Sequence, residues 1–186
     1  MKLFLIRHGQ TVTNQQLRWT GQSDVELTEQ GRREAESVAP ILAEIPFDKV
    51  FSSDLSRAVM TQQLALPDYT AEQTELLREF DTGSLTGLRF ADVPVEQRKS
   101  YEYYGGESVQ DVCERVRRFL KSLEDKPWEN VAAFAHNGVL GCAMRVILNA
   151  DISGSVIRSG NCAIHVFEFD GKLWRLLAWN YMGRIF

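Results

Sequence analysis

Lys2-Leu3-Phe4-Leu5-Ile6-Arg7-His8-Gly9 runs four apolar side chains straight into an arginine–histidine pair and a glycine. The apolar run has the length of one buried strand and is too short for the core of a secretory leader. A cationic pair directly after a buried strand stands where a sheet opens into a crevice. Gly9 lets the backbone turn there and come close to a ligand. A neutral imidazole near pH 7 is a competent nucleophile towards phosphorus, although a capped strand end would leave the same residues behind.

Two further strands end in the same way. Lys49 to Ser52 leads into Ser52-Ser53-Asp54-Leu55-Ser56-Arg57-Ala58, with a helix expected from about Leu55. Arg57 then falls in a first helical turn, where a guanidinium and free amides both attract an anion; a surface arginine beside Asp54 is the plainer reading. Val131 to Phe134 leads into Ala135-His136-Asn137-Gly138, followed by a helix to about Leu148. His136 is either a satisfied core histidine or, if protonated, a stabiliser of charge on transferring oxygens.

The rest of the chain alternates in kind. Thr28 caps a helix marked by Ala35, Val38, Ala39 and Leu42, with Pro40 expected to bend or shorten it. Ser108 and Asp111 form a capping box ahead of one apolar face: Val109, Val112, Val116, Phe119 and Leu123. Cys162–Phe169 and Leu173–Trp179 read as a hairpin turned at Asp170-Gly171. The expected fold is α/β: a three-layer sandwich with a mostly parallel central sheet, one antiparallel strand and helices on both faces. In such sheets ligands bind beyond the carboxyl ends of the strands. One domain is expected over 1–186, with a small lid at about 80–105.

Bulk properties narrow the partners. The net charge of -4 provides no field for a nucleic-acid backbone, and no stretch has the length to span a bilayer. Three separated cysteines without CxxC spacing, and only three histidines, argue against zinc and against a disulfide framework. A reducing cytoplasm fits, with no metal and no cofactor expected. The oligomeric state is not legible.

Glu79 follows Leu76-Leu77-Arg78 and precedes a loop with Gly83 and Gly87. Folded over the crevice, it can protonate a leaving alkoxide and then activate water; a surface glutamate is the alternative. Arg78 is either a substrate contact or the ion-pair partner of Glu79.

Taken in order, these segments resemble the histidine phosphatase superfamily, the branch of phosphoglycerate mutases and many small phosphatases. Arg7-His8-Gly9-Gln10-Thr11 with Asn14 is similar to its signature. Thr20-Gly21 with Asp24, Leu27, Thr28 and Gly31, then Ser53 to Ala58, Leu77-Arg78-Glu79, Gly105-Gly106-Glu107-Ser108 and Ala135 to Gly138 resemble the later blocks. The resemblance implies His8 as the phosphorylated nucleophile, with Arg7, Arg57 and His136 holding the phosphoryl group. It implies Glu79 as proton donor and Asn14 as a hydrogen-bonding side chain. Thr20, Gly21, Arg78 and Asn137 would bind substrate. Gln10 stands where glutamate is common, Asn137 where glycine is usual, and the loop after Glu79 lacks a frequent tryptophan.

Mutases of that family carry a longer insertion over the site. Here only about 25 residues separate Glu79 from Gly105, and their charges are mixed. A short lid favours water as acceptor. The expected activity is hydrolysis of a small phosphorylated metabolite through a phosphohistidine, as in α-ribazole and broad-specificity phosphatases. A mutase, a phosphoprotein phosphatase and a silent phospholigand binder are the alternatives. The lid aromatics Phe90, Tyr101, Tyr103 and Tyr104 are expected to pack on the sheet or to wall a leaving group. Asn161 either orients pocket groups or is a turn residue before a strand, the plainer reading, and His165 is assigned to structure.

Overall fold

In the computed structural model, residues 1–98, 100–151 and 159–181 are described. The loop 151–160, whose order the sequence leaves open, lies largely outside them. Six strands form one sheet: β1 (Lys2–Arg7), β2 (Lys49–Ser53), β3 (Glu72–Thr74), β4 (Asn130–Ala135), β5 (Ile164–Phe169) and β6 (Trp174–Tyr181), in the order β3-β2-β4-β1-β5-β6. β1, β2, β3 and β4 are parallel, and β5 pairs antiparallel with both neighbours, β1 and β6. This is the expected mostly parallel sheet with one reversed strand.

Side chains alternate across the sheet with the strand period of two. Leu3, Leu5, Val131, Ala133 and Ala135 face α4 (Val109–Glu124) and α5 (Asn137–Leu148), together with Val112, Val116, Phe119, Leu123 and Leu140. Ile6, Ala132, Phe134 and Ile164 face α2 (Glu29–Ala43) and α3 (Ser56–Ala65) through Ala35, Val38, Leu42 and Ala65. These two apolar layers hold the sandwich. A single helical turn, α1 (Val12–Gln15), follows β1 and is capped by Thr11.

Caps set the helix starts where the sequence placed them. Thr28 accepts the Gly31 amide, and Ser108 and Asp111 close a reciprocal capping box. Pro40 does not shorten α2, which continues to Ala43. The carbonyl deprived of a partner belongs to Glu36, on the exposed side where water can serve it. Val109 does not join the buried face of α4: it is 40% exposed and lines a cleft. The hairpin turns at Gly171 and Lys172, one residue later than expected, because Asp170 still pairs with Leu173 (3.3 Å) and Gly171 takes a φ of 96°.

Register is what builds the site. Arg7 lies opposite Ala135, and Ser52 opposite Phe134. The segments after β1, β2 and β4 therefore emerge side by side at one sheet edge. Between β3 and α4 the chain makes five short 3-10 turns, from Glu75–Leu77 to Glu102–Tyr104. Leu85, Val93 and Trp19 form a satellite apolar cluster under this stretch. Trp19 exchanges backbone hydrogen bonds with Leu88 and Gly87 (3.0 and 2.8 Å).

Replacing Ser108 with alanine removes the cap of α4 and is expected to cost about 1 kcal/mol. A urea unfolding series would show the midpoint falling at constant slope; an unchanged midpoint would contradict the cap.

Candidate active site

His8 extends the β1 ladder by donating its amide to Ala135 (3.0 Å). Its ring Nδ1 lies 2.7 Å from the Gly9 carbonyl. A carbonyl only accepts, so Nδ1 carries the proton and Nε2 keeps its lone pair. Gly9 is obligatory here: a Cβ would sit 2.4 Å from the Gly31 carbonyl oxygen at the first turn of α2. The Gly9 amide in turn donates to Thr61 Oγ1 of α3 (3.0 Å). Helices on one face thus clamp the loop that aims the imidazole.

His136 is the N-cap of α5 and is fully buried, its ring centroid 5.1 Å from that of His8. Arg57 Nε donates to His136 Nδ1 (3.2 Å), which fixes the opposite tautomer, with the proton on Nε2. Burial, then Arg57 and the other nearby positive groups, hold both rings well below the ordinary imidazole value. Of the readings left open by the sequence, a protonated His136 is disfavoured: with Nδ1 accepting from Arg57 and a charged ring penalised by burial beside it, His136 is a neutral N–H donor. Among the described residues, His136 Nε2 is buried without a hydrogen-bond partner, and so is Arg7 Nε. Two unpaired buried donors at one sheet edge fit an anion.

The guanidinium groups are held mainly by carbonyls. Arg57 reaches Ser23 and Gly21 oxygens (both 2.8 Å), and Arg7 donates to the Ser159 oxygen. Burial lowers Arg57 to about 10, still charged at neutral pH. Glu79 is the acid nearest in effect to both arginines, raising each against that trend. Its carboxylate accepts the Phe80 amide (2.9 Å) and the Gly138 amide (3.2 Å). A Cβ on Gly138 would lie 2.2 Å from Glu79 Oε1, so only glycine admits this approach.

Arg7, His8, Asn14, Thr20, Gly21, Arg57, Glu79 and Asn137 line one cleft of about 990 Å³. His136 stands behind its wall, in ring contact with His8. Asn14 Oδ1 takes the Thr11 amide (3.2 Å), and Thr20 Oγ1 lies 2.5 Å from Thr13 Oγ1. Arg78 is the exception. It bonds Asp54 (2.9 and 3.0 Å from Nε) and pairs with Glu75, outside the cleft lining, because its side chain turns to the acidic side of its own turn.

Of the two readings of Asn161, the contacts favour the one in which it orients pocket groups: its Nδ2 donates to the His8 carbonyl (3.1 Å) and approaches Asn14 Oδ1 (3.5 Å). Other contributors escaped the sequence reading. Arg115 and Gln22 bond the Glu79 carbonyl (each 3.1 Å), and Glu107 links the two. The resemblance singled out Glu107 within Gly105-Gly106-Glu107-Ser108, but nothing local signals these long-range bonds. Of the lid aromatics, Phe90 and Tyr101 line the cleft and pack edge-on against Trp19 (4.6 Å) and Phe80 (5.3 Å), neither of which lies in the sheet. Tyr104 packs on the satellite cluster, while Tyr103 is 82% exposed. Among the described residues, no group of three or more His, Cys, Asp or Glu is placed to hold a metal ion, and no helix is long and apolar enough to cross a membrane.

Comparison with known proteins gives concordant matches. The model of the histidine phosphatase superfamily (branch 1) matches residues 3–182. The 2,3-bisphosphoglycerate-dependent phosphoglycerate mutase of Cytophaga hutchinsonii is 34% identical over 92% of this chain and 89% of its own. A mycobacterial glucosyl-3-phosphoglycerate phosphatase, solved in complex with VO3, superposes with a TM-score of 0.86 at 30% identity, covering 96% of this chain and 98% of that one. A putative alpha-ribazole-5'-P phosphatase from Escherichia coli has a TM-score of 0.86 at 26% identity, covering 99% and 100%.

Neutral burial of His8, His136 and His165 has a thermodynamic consequence. Their folded values lie below the unfolded one, so below about pH 6.5 the unfolded chain binds more protons. Stability is expected to fall as pH drops from about 6.5 to about 5, read as a declining urea midpoint. A flat midpoint across that window would contradict neutral burial.

Proposed function

The chain belongs to the histidine phosphatase superfamily (branch 1), and from that premise we propose that it hydrolyses small phosphomonoesters through a phosphohistidine on His8. The observation that carries this reading is the pairing of opposite tautomers. His8 offers a lone pair, while His136 Nε2 and Arg7 Nε are buried donors without partners among the described residues. A phosphoryl dianion supplies the acceptors those donors lack.

In the proposed reaction His8 Nε2 attacks phosphorus and the P–O ester bond breaks. Arg7, Arg57 and His136 stabilise the equatorial oxygens, as a metal does in other phosphoryl-transfer sites. The leaving alkoxide takes the proton of the Glu79 carboxyl. The resulting carboxylate then accepts a proton from the water that attacks the phosphohistidine. Inorganic phosphate leaves, and both His8 and Glu79 return to their starting states. Asn14 and Asn161 position His8 and the bound oxygens; Thr20, Gly21 and Asn137 border the leaving group.

We read residues 80–105 as a lid on one domain, supported by the bonds joining Trp19 to Leu88 and Gly87. Its shortness leaves room for water. A primed mutase is the second reading, favoured by the 34% identical relative. A reducing cytoplasm is the proposed compartment, supported by three free cysteines.

The test is p-nitrophenyl phosphate turnover with EDTA present. His8→Ala is expected to abolish it, by at least about a thousandfold. Retained activity in that variant would overturn the mechanism. Glu79→Gln is expected to slow alkyl phosphates by about a hundredfold or more, and p-nitrophenyl phosphate far less, since nitrophenolate leaves without a proton. Equal losses on both would remove Glu79 from the acid role. Conversion of 3- to 2-phosphoglycerate that requires a bisphosphate primer, without phosphate release, would favour the mutase.

A further inference from the structure

His165 is fully buried in β5, outside the cleft, yet it belongs to a closed ring of hydrogen bonds that ends on Arg7. The Asn180 amide donates to His165 Nδ1 (3.1 Å). The ring proton is therefore on Nε2, which lies 2.8 Å from Ser159 Oγ. With its oxygen occupied as acceptor, Ser159 passes its hydroxyl proton to the Gly160 carbonyl (3.2 Å). Gly160 closes the ring by donating its amide to Asn180 Oδ1 (2.8 Å). Each donor has one acceptor, and the directions are consistent all round. Asn180 takes a left-handed φ of 59° to present both its amide and its side chain, a conformation asparagine tolerates better than most residues.

This ring fixes the backbone of Ser159, and the Ser159 carbonyl is the acceptor of Arg7 Nη1. With Nη1 tied there, the Nε–H, which has no partner among the described residues, is held in one direction. Burial first, and the Arg7 charge second, push His165 down to about 3, so the ring stays neutral at the pH of any assay near neutrality. The Trp179 ring lies tilted by 48° against that of His165, centroids 3.9 Å apart, and Trp179 also borders the cleft. The last two strands thus reach the site without supplying a group that touches the phosphorus.

We infer that His165 and Ser159 are positioning residues that aim the Arg7 guanidinium at the phosphoryl oxygens. The inference rests on the reading of Arg7 as a phosphoryl ligand. Arg7 would grip the anion in ground and transition states alike, so misaiming it weakens binding uniformly and leaves turnover of the bound ester little changed.

The experiment compares Ser159→Ala, His165→Phe and His165→Gln with the parent protein. Affinity for inorganic phosphate is measured by calorimetry, KM and kcat with p-nitrophenyl phosphate, and Tm by scanning calorimetry. Ser159→Ala and His165→Phe are expected to weaken phosphate binding and raise KM about tenfold, with kcat within about threefold. His165→Gln keeps a donor for Ser159 and is expected to hold affinity within about twofold. Unchanged phosphate affinity in Ser159→Ala, whatever its Tm, would reduce the ring to a structural support and overturn the inference. If His165→Phe fails to fold, Ser159→Ala carries the test. A parent protein that binds phosphate but turns over no ester would sink the phosphatase reading alone, and the affinity comparison would still decide this one.

Discussion

One hydrogen bond decides which atom of His8 can react. Its Nδ1 proton is committed to the carbonyl of the next residue, so the lone pair has to lie on Nε2. That bond exists only because the chain folds back tightly after β1. The fold-back in turn demands glycine at position 9, packed against the backbone of Gly31 at the start of α2. Thr61 holds the Gly9 amide from α3, and Asn161 holds the His8 carbonyl from the loop before β5. Elements from both halves of the sequence converge on the orientation of one imidazole.

Charge follows the same logic. The chain is acidic overall, with a net charge of -4, yet its sheet edge buries the Arg57 guanidinium beside two imidazoles and half-buries Arg7. Arg7 and Arg57 are anchored to carbonyl oxygens, which orient a cation without cancelling it. Pairing each arginine with a buried carboxylate would have neutralised the pocket. Arg78 shows that alternative: it is neutralised by Asp54 and Glu75, and it stands away from the cleft. Keeping a charge buried and only partly satisfied costs stability, which a bound dianion would restore.

Much of this was legible before any coordinates. The strand ends, the order of strands and helices apart from the three-residue β3, and the Ser108 capping box all depend on residues close in sequence, where periodicity and capping chemistry act. The cluster of His8, Arg57 and His136 was legible too, since parallel strands in register deliver their carboxyl ends to one edge. What escaped depends on long-range contacts. Nothing near Asn161 shows that its amide will meet His8, more than 150 positions earlier in sequence. His165 looked structural because its strand pattern buries it, and the ring linking it to Arg7 spans four separate segments. Pro40 does not end α2, since the carbonyl it deprives of a partner belongs to an exposed residue, which propensity alone does not weigh.

The tautomer argument makes a claim finer than the identity of the nucleophile, because it names the nitrogen. The most direct measurement is phosphorus NMR, with peptide mass mapping, on enzyme quenched in alkali during turnover of a phosphate ester. The account predicts phosphorus on Nε2 of His8, removed by acid and absent from His8→Ala. Phosphorus on Nδ1 of His8, or on any other residue, would contradict it.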